Sequence, residues 1–162
     1  MRLLFFIFVL FTFTAFGQSA EYKKMLKKYY SDFPTISIND AYHKIDQSNV
    51  YFIDTREQKE FDVSHIKNAR CVGYDNFDIS SVKDIAKDAE IIVYCSIGAR
   101  SQTIGEKLKA AGYTNVKNLY GGMFHWANRK YPMVDNDSNR TTKIHGFAKD
   151  WGKWVTNGIV VY

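Results

Sequence analysis

Cysteine is scarce in this chain, since only Cys71 and Cys95 occur among its 162 residues. Two cysteines cannot build a disulfide framework, and so few isolated thiols do not supply the four ligands of a structural zinc site. Internal repeats and low-complexity segments are also absent, and nothing resembles a nucleic-acid-binding motif. Basic residues (22) are interspersed with acidic ones (17), so the net charge of +5 does not come from a charged tail.

The only long apolar run lies at the N-terminus. A basic dipeptide precedes fourteen mostly apolar residues, 3–16, and Ala15 and Gly17 are small residues suited to a cleavage site. This pattern is typical of a secretory signal peptide. We therefore expect residues 1–17 to be removed and the mature protein, from Gln18, to be periplasmic or extracellular. An uncleaved anchor is disfavoured because a span needs about 20 apolar residues, so we expect no stable membrane insertion after cleavage.

Removal of 17 residues leaves a length that suits one domain with a core. Residues 18–34 are expected to hold an amphipathic helix, and residues 135–162 to form an aromatic C-terminal extension. The basic face of the helix consists of Lys23, Lys24, Lys27 and Lys28. Its apolar face consists of Tyr22, Met25, Leu26 and Tyr29, at the spacing of one helix side. In the extension, Trp151 and Trp154 are expected to pack onto the domain, or alternatively to bind a partner.

Between these segments, short apolar runs alternate with helical patterns. Strands are predicted at residues 50–53, 69–74, 91–94 and 116–119, and helices at residues 81–87 and 100–111. Alternation of this kind predicts an α/β fold with a central, mostly parallel sheet covered by helices on both faces. Ligands bind such sheets at the carboxyl ends of the strands, where Asp54 and Cys95 are expected to lie.

Cys95 stands between a predicted strand and a predicted helix. The intervening loop consists of Ser96, Ile97, Gly98 and Ala99, and Arg100 begins the helix. Loop amides and a helix N-terminus favour negative charge, so the thiolate form of Cys95 should be favoured there and should act as a nucleophile. Isolated cysteines are more often buried and inert, but this position favours a reactive thiol. Loop residues 96–100 are the expected substrate-binding elements.

The number of residues between Cys95 and Arg100 separates two kinds of chemistry. Phosphatases with a Cys-X5-Arg loop enclose a phosphate with one residue more than this chain has, and they need a general acid that no residue here marks. The shorter loop suits a persulfide sulfur. Arg100 is expected to bind an anion or brace the loop carbonyls, rather than to be merely an exposed helix residue.

Other polar residues have structural interpretations. Asp54, Arg56 and Glu60 are expected to form an ion-pair and hydrogen-bond network at the end of a strand rather than a catalytic group. His65 is interpreted as a hydrogen-bonded structural histidine. The remaining histidines lack the spacing of metal ligands, so we expect neither a metal nor an organic cofactor.

The order and spacing of these motifs resemble those of a rhodanese domain over about residues 35–134. The first half is carried by Phe52-Ile53-Asp54-Thr55-Arg56-Glu57, Glu60-Phe61, His65-Ile66 and Ala69. The second half is carried by Ile92-Val93-Tyr94-Cys95, Arg100-Ser101, Leu108, Ala111-Gly112-Tyr113, Val116 and Leu119-Tyr120-Gly121-Gly122-Met123 up to Trp126. The resemblance implies a single-domain sulfurtransferase with Cys95 as its sulfur-accepting residue.

The chain departs from the family in two places. The usual Gly-His-Ile-Pro-Gly-Ala turn reads Ser-His-Ile-Lys-Asn-Ala at residues 64–69. The resemblance implies thiosulfate or another sulfane-sulfur compound as the donor. Residues 96–99 lack the extra Arg or Lys that thiosulfate-using members often have, which argues against thiosulfate as the natural donor. The predicted partners are a small sulfur donor and a thiol acceptor, either a small molecule or a protein. Two alternatives stay open: a thiol redox protein using Cys95 and Cys71, and a non-catalytic binding module.

Overall fold

A computed structural model describes residues 19–162, so the expected cleavage after Gly17 lies outside the described residues. Its centre is a five-stranded, fully parallel sheet in the order β1-β5-β4-β2-β3. These strands are β1 (Thr35–Ile36), β2 (Val50–Asp54), β3 (Arg70–Cys71), β4 (Glu90–Tyr94) and β5 (Asn115–Leu119). The predicted α/β class is confirmed. Because β4 is the central strand, the residue that follows it lies in the middle of the carboxyl edge.

Helices cover both faces of this sheet. The α-helices of residues 19–162 are α1 (Ala20–Leu26), α2 (Ile38–Tyr42), α3 (Gln58–Val63), α4 (Ala99–Ala110), α5 (Gly122–Asn128) and α6 (Lys149–Gly152). On one face, Phe52 and Ile92 pack in a cluster with Leu26 and Trp126. On the other face, the alternate strand residues pack with Ile104 and Leu108 of α4. Parallel strands buried on both sides explain why their sequences are continuous apolar runs.

Two predicted elements differ in the structure. The helix expected at residues 81–87 is replaced by a short 3-10 helix, Ile79–Val82, which is capped by Asp78 and begins two residues earlier. The Asp78 carboxylate accepts the Ser80 amide at 2.9 Å and so fixes an earlier start. The strand expected at residues 69–74 is paired only at Arg70–Cys71. Because it is an edge strand, only one side has a partner.

The chain segments outside the central sheet pack against each other. The C-terminal extension contains the antiparallel pair β6 (Met133–Val134) and β7 (Arg140–Thr141), and the parallel pair β8 (Lys143–His145) and β9 (Ile159–Val161). The Trp154 and Tyr22 rings lie 5.6 Å apart, and the Trp151 and Tyr29 rings 5.7 Å apart. The packing role expected for the two tryptophans is thus confirmed. None of the helices within residues 19–162 is long and apolar enough to cross a membrane.

Candidate active site

Cys95 follows the last residue of β4 at the carboxyl edge of the sheet. Its side chain is buried, with 1% of the residue exposed, and the Gly98 amide donates a hydrogen bond to its Sγ at 3.1 Å. The loop from Ser96 to Gly98 therefore turns back over the sulfur, and α4 begins at Ala99. This is the strand–loop–helix arrangement expected from the sequence, with an amide placed where it stabilises negative charge on sulfur.

Gly98 makes the tight turn possible. Its φ of 109° lies in a region that residues with a side chain rarely adopt, and an added Cβ would lie 1.8 Å from Tyr30 Oη. Its carbonyl accepts a hydrogen bond from Asn118 Nδ2 at 2.8 Å, and Asn118 Oδ1 accepts one from Ser101. The loop is thereby tied to β5 on one side and to the first turn of α4 on the other.

The N-terminus of α5 is hydrogen-bonded to the backbone of the cysteine loop. The Met123 and Phe124 amides donate to the carbonyls of Cys95 and Ser96 at 2.9 and 3.0 Å. An added Cβ on Gly122 would lie 2.3 Å from the Cys95 carbonyl oxygen, so only glycine permits this approach. The glycine pair at the start of α5, Gly121 as its cap and Gly122 as its first residue, therefore fixes the backbone of the cysteine loop.

Tyr30 joins the same region from outside the central sheet. Its hydroxyl lies 2.8 Å from the Ile97 carbonyl, to which it can donate, and it accepts the Gly121 amide at 2.7 Å. Burial raises the pKa of Tyr30, so the hydroxyl stays protonated and available as a donor. Sequence reasoning missed Tyr30, because it lies 65 residues before Cys95 and nothing in the local pattern marks it.

Arg100 braces the loop rather than presenting a free cation. Its guanidinium forms two parallel hydrogen bonds to Glu60, at 2.7 and 2.8 Å, and a third to Ser96 Oγ at 3.1 Å. Burial favours a raised pKa for Glu60, but the hydrogen bonds and charge of Arg100 outweigh it and hold that pKa below its ordinary value. The pKa of Arg100 is raised: burial opposes this, but the bond to Glu60 and the negative charge of a Cys95 thiolate prevail.

The network predicted at the end of β2 is only partly as expected. Asp54 and Arg56 form an ion pair at 2.6 Å with both side chains fully buried, and Arg56 also donates to the Ser64 carbonyl. Glu60, expected in the same network, instead binds Arg100. His65 stacks on Phe61 and contacts the Phe61 carbonyl through Nδ1, in keeping with a structural role.

Cys71 lies too far from the loop to bridge to Cys95. Asp54 of β2 pairs with Cys71 on one side and with Tyr94 on the other, so β2 separates the two cysteine-bearing strands. Two strand spacings amount to about 10 Å, whereas a disulfide needs Cα atoms within about 7 Å. Both thiols are free. Burial raises the pKa of Cys71 to about 11, so it is protonated at neutral pH.

A pocket of about 170 Å³ opens over the cysteine loop. Its floor is formed by Cys95, Ser96, Ile97, Ala99 and Arg100, and its walls by aromatic rings from the two flanking segments: Tyr29, Phe147 and Trp151. All of the predicted site residues except Gly98, whose amide faces the sulfur from within the loop, line this pocket. A larger, open depression of about 570 Å³ between Tyr42 and Arg140 contains no cysteine. Sequence reasoning did not identify Tyr29 or Phe147 as part of the site.

Comparisons with known proteins agree with this fold and loop. A family model of the rhodanese-like domain matches residues 37–129. An adenylyltransferase and sulfurtransferase of Candida albicans is 35% identical over 82 residues, which cover 46% of this chain and 19% of that protein. A tRNA uridine(34) hydroxylase of Enterobacter sp. (strain 638) is 31% identical over 90 residues, which cover 52% of this chain and 26% of that protein.

Among solved structures, a homodimeric polysulfide-sulfur transferase of Wolinella succinogenes has the same fold. Its TM-score is 0.57 at 24% identity, over 72% of this chain and 89% of that chain. This likeness establishes the fold alone, and the chain spans only about a quarter or less of the two curated relatives' lengths. The family match, however, spans more than half of the chain and contains the whole loop from Cys95 to Arg100. This chain belongs to the rhodanese-like domain family.

Proposed function

We propose that this protein is an exported sulfurtransferase in which Cys95 carries a sulfur atom as a persulfide. The observation that supports this most directly is the Gly98 amide, which lies 3.1 Å from Sγ in a loop closed by α4 and α5. An amide in that position stabilises both a thiolate and a terminal persulfide anion without the help of a general base. The sulfurtransferase among the relatives supports the same chemistry.

The proposed reaction has two steps. In the first, the Cys95 thiolate attacks the outer sulfur of a donor, forming a new bond between Sγ and that sulfur. The bond within the donor breaks, and the rest of the donor leaves with the electron pair. In the second, an acceptor thiolate attacks the outer sulfur and Cys95 leaves as a thiolate. Neither step needs an external oxidant, metal or organic cofactor.

Within this scheme the neighbouring residues position the sulfur. Ser96 to Ala99 form the loop around the sulfur, and Arg100 holds this loop through Ser96 and the buried carboxylate of Glu60. Because its guanidinium is occupied by Glu60, the role of Arg100 is bracing rather than direct binding of a free anion.

A redox function using both cysteines is less well supported by the geometry. Such a protein forms a disulfide between its two thiols, and here β2 lies between them. Sulfur transfer requires only one cysteine. The geometry therefore favours the persulfide reaction over the dithiol reaction.

The export that we propose rests on residues 1–17 alone, with their basic head and apolar run. Export would place the sulfur donor and acceptor in the periplasm or outside the cell. N-terminal sequencing of the protein from its native host should begin at Gln18. Recovery of the full-length chain from the cytoplasm would contradict export without affecting the proposed chemistry.

Direct loading of the protein tests the proposed reaction. Reduced protein is mixed with inorganic polysulfide and desalted, and mass spectrometry should then find one added sulfur atom on the peptide that contains Cys95. Cyanide should release this sulfur as thiocyanate. The same preparation should not hydrolyse an aryl phosphate, because the loop is one residue shorter than a phosphatase loop. Failure to load any sulfur, or phosphatase turnover that depends on Cys95, would contradict the proposal.

A further inference from the structure

The walls of the pocket over Cys95 come from segments outside the family match. Tyr29 follows α1, and Phe147 and Trp151 belong to the C-terminal extension, whereas the family model covers only residues 37–129. The Tyr29 and Trp151 rings contact each other edge to face at 5.7 Å. The entrance to the sulfur site is thus built by parts of this chain that the common domain does not supply.

Phe147 is held in a backbone conformation that bulky residues rarely adopt. Its φ is 62°, in the left-handed region, and 48% of the residue is exposed. The buried ring of His145 accepts the Phe147 amide through Nδ1 at 3.0 Å, and the Phe147 ring lies 4.9 Å from the Arg100 guanidinium. A strained backbone that presents an apolar ring at a pocket entrance points to function rather than to stability.

The cation that lines the pocket is already paired with a carboxylate. Among the described residues that line it, Arg100 is the one cation, and its guanidinium is bound to the buried Glu60 carboxylate by two hydrogen bonds. A negatively charged substituent lodged between the aromatic walls, away from the loop amides that face the sulfur, would therefore have no free cation beside it and would lose hydration without compensation.

The size of the pocket indicates what it holds. A closed apolar cavity of about 150 Å³ accommodates a benzene molecule, and this open pocket has about 170 Å³. One aromatic ring or short branched alkyl group fits between Phe147 and Trp151 while its sulfur approaches Cys95. Offset or edge-to-face contacts with these rings would orient that group.

We propose that the aromatic entrance selects an uncharged, apolar thiol as the acceptor of the Cys95 sulfur, with Phe147 and Trp151 as the specificity-determining residues. This inference rests on the proposed function and adds its substrate class. The bound thiol loses its proton to water and its thiolate attacks the outer sulfur of the persulfide. A bond forms between the two sulfurs, and the bond from Sγ breaks. The electron pair returns to Sγ, and the apolar persulfide leaves. The transfer is balanced and needs no further reactant.

The test measures discharge of the persulfide rather than its formation. Protein loaded with inorganic polysulfide and desalted is mixed with benzyl mercaptan or with 2-mercaptoethanesulfonate, which is an anionic thiol of similar basicity. Mass spectrometry follows the loss of sulfur from Cys95. We expect benzyl mercaptan to discharge the native protein at least about tenfold faster, the scale on which apolar pockets discriminate.

Variants of the entrance should change this preference. Substitution of both rings, Phe147→Ala with Trp151→Ala, should slow benzyl mercaptan about tenfold, as the aromatic contacts are lost. Discharge by cyanide, a small acceptor that needs no apolar contact, should be slowed much less, so the ratio of the two rates should change about as much as the benzyl mercaptan rate. Phe147→Lys should favour the sulfonate, whereas Phe147→Leu should keep much of the native preference. Ile159→Ala is a matched control, because Ile159 is an exposed apolar residue of the same extension that does not line the pocket.

Each outcome bears on one proposal. Absence of loading with polysulfide would contradict the sulfurtransferase function itself. Normal loading followed by equal discharge with the two thiols would overturn the proposed selectivity alone. Equal slowing of cyanide and benzyl mercaptan in the double variant would also overturn it, since the rings would then support the loop rather than select the acceptor.

Discussion

Replacement of Cys95 by serine is expected to abolish persulfide formation completely, because a serine hydroxyl cannot hold a sulfane sulfur. The backbone of the loop should survive the change. Its carbonyls are held by the Met123 and Phe124 amides, and neither contact involves the sulfur. The measurement is mass spectrometry after polysulfide loading, together with thiocyanate release by cyanide. Circular dichroism should show that Cys95→Ser keeps the native fold.

Cys71→Ser is the matched control for this experiment. Cys71 is the only other thiol, and it lies on β3 beyond β2 from the active loop. Burial raises its pKa to about 11, so at neutral pH only a very small fraction is thiolate and able to attack a donor. Cys71→Ser should therefore load and discharge sulfur like the native protein. A dead Cys71→Ser variant, or sulfur retained in Cys95→Ser, would show that the nucleophile is misassigned.

Glu60→Ala is expected to lower the free energy of unfolding by about 3–5 kcal/mol, the cost of leaving one partner of a buried ion pair without the other. Glu60 is 1% exposed and Arg100 17% exposed by their side chains, and Ser96 also loses its contact with the carboxylate. Because the loop is released, sulfur loading on Cys95 should fall as well. Urea denaturation measures the stability change, and polysulfide loading measures the functional one.

The chain provides a matched control of similar geometry but different burial. Arg70 and Asp84 also form two parallel hydrogen bonds, both at 2.7 Å, yet their side chains are 36% and 60% exposed. Asp84→Ala should destabilise the protein much less than Glu60→Ala, because exposed ion pairs contribute little to stability. Equal destabilisation by Glu60→Ala and Asp84→Ala would contradict the importance of burial.

A double variant and a pH series separate the buried charge from other effects. Glu60→Ala combined with Arg100→Ala should be less destabilised than Glu60→Ala alone, because no unpaired cation remains.

The folded-state pKa of Glu60 is lowered from 4.5. The pair therefore stabilises the native protein above about pH 4.5, and this contribution is lost as the pH falls through the lower, folded-state pKa. Glu60→Ala should accordingly flatten the acid limb of the stability profile.

Local sequence patterns predicted the central elements well. Residues 50–53, 91–94 and 116–119 are strands, and residues 100–111 are nearly all helical, because burial on both sheet faces and helix propensity act over a few neighbouring residues. The helix predicted at residues 81–87 was wrong because neighbouring residues compete to start it. Asp78 and Ser80, two residues apart, can each cap a helix, and the sequence does not show which one the tertiary packing of Val82 will favour.

The sequence by itself determined the fold class, the family and the place of Cys95 at the end of a strand. Each of these depends on residue order, and order decides which groups lie at the carboxyl edge of a parallel sheet. Only the tertiary structure decided that Arg100 binds Glu60, that β2 separates the cysteines, and that Tyr29 and Phe147 wall the pocket. These contacts join residues 40 or more positions apart or depend on strand order. Such contacts form only when distant segments pack together in the folded protein, and no local periodicity in the sequence encodes them.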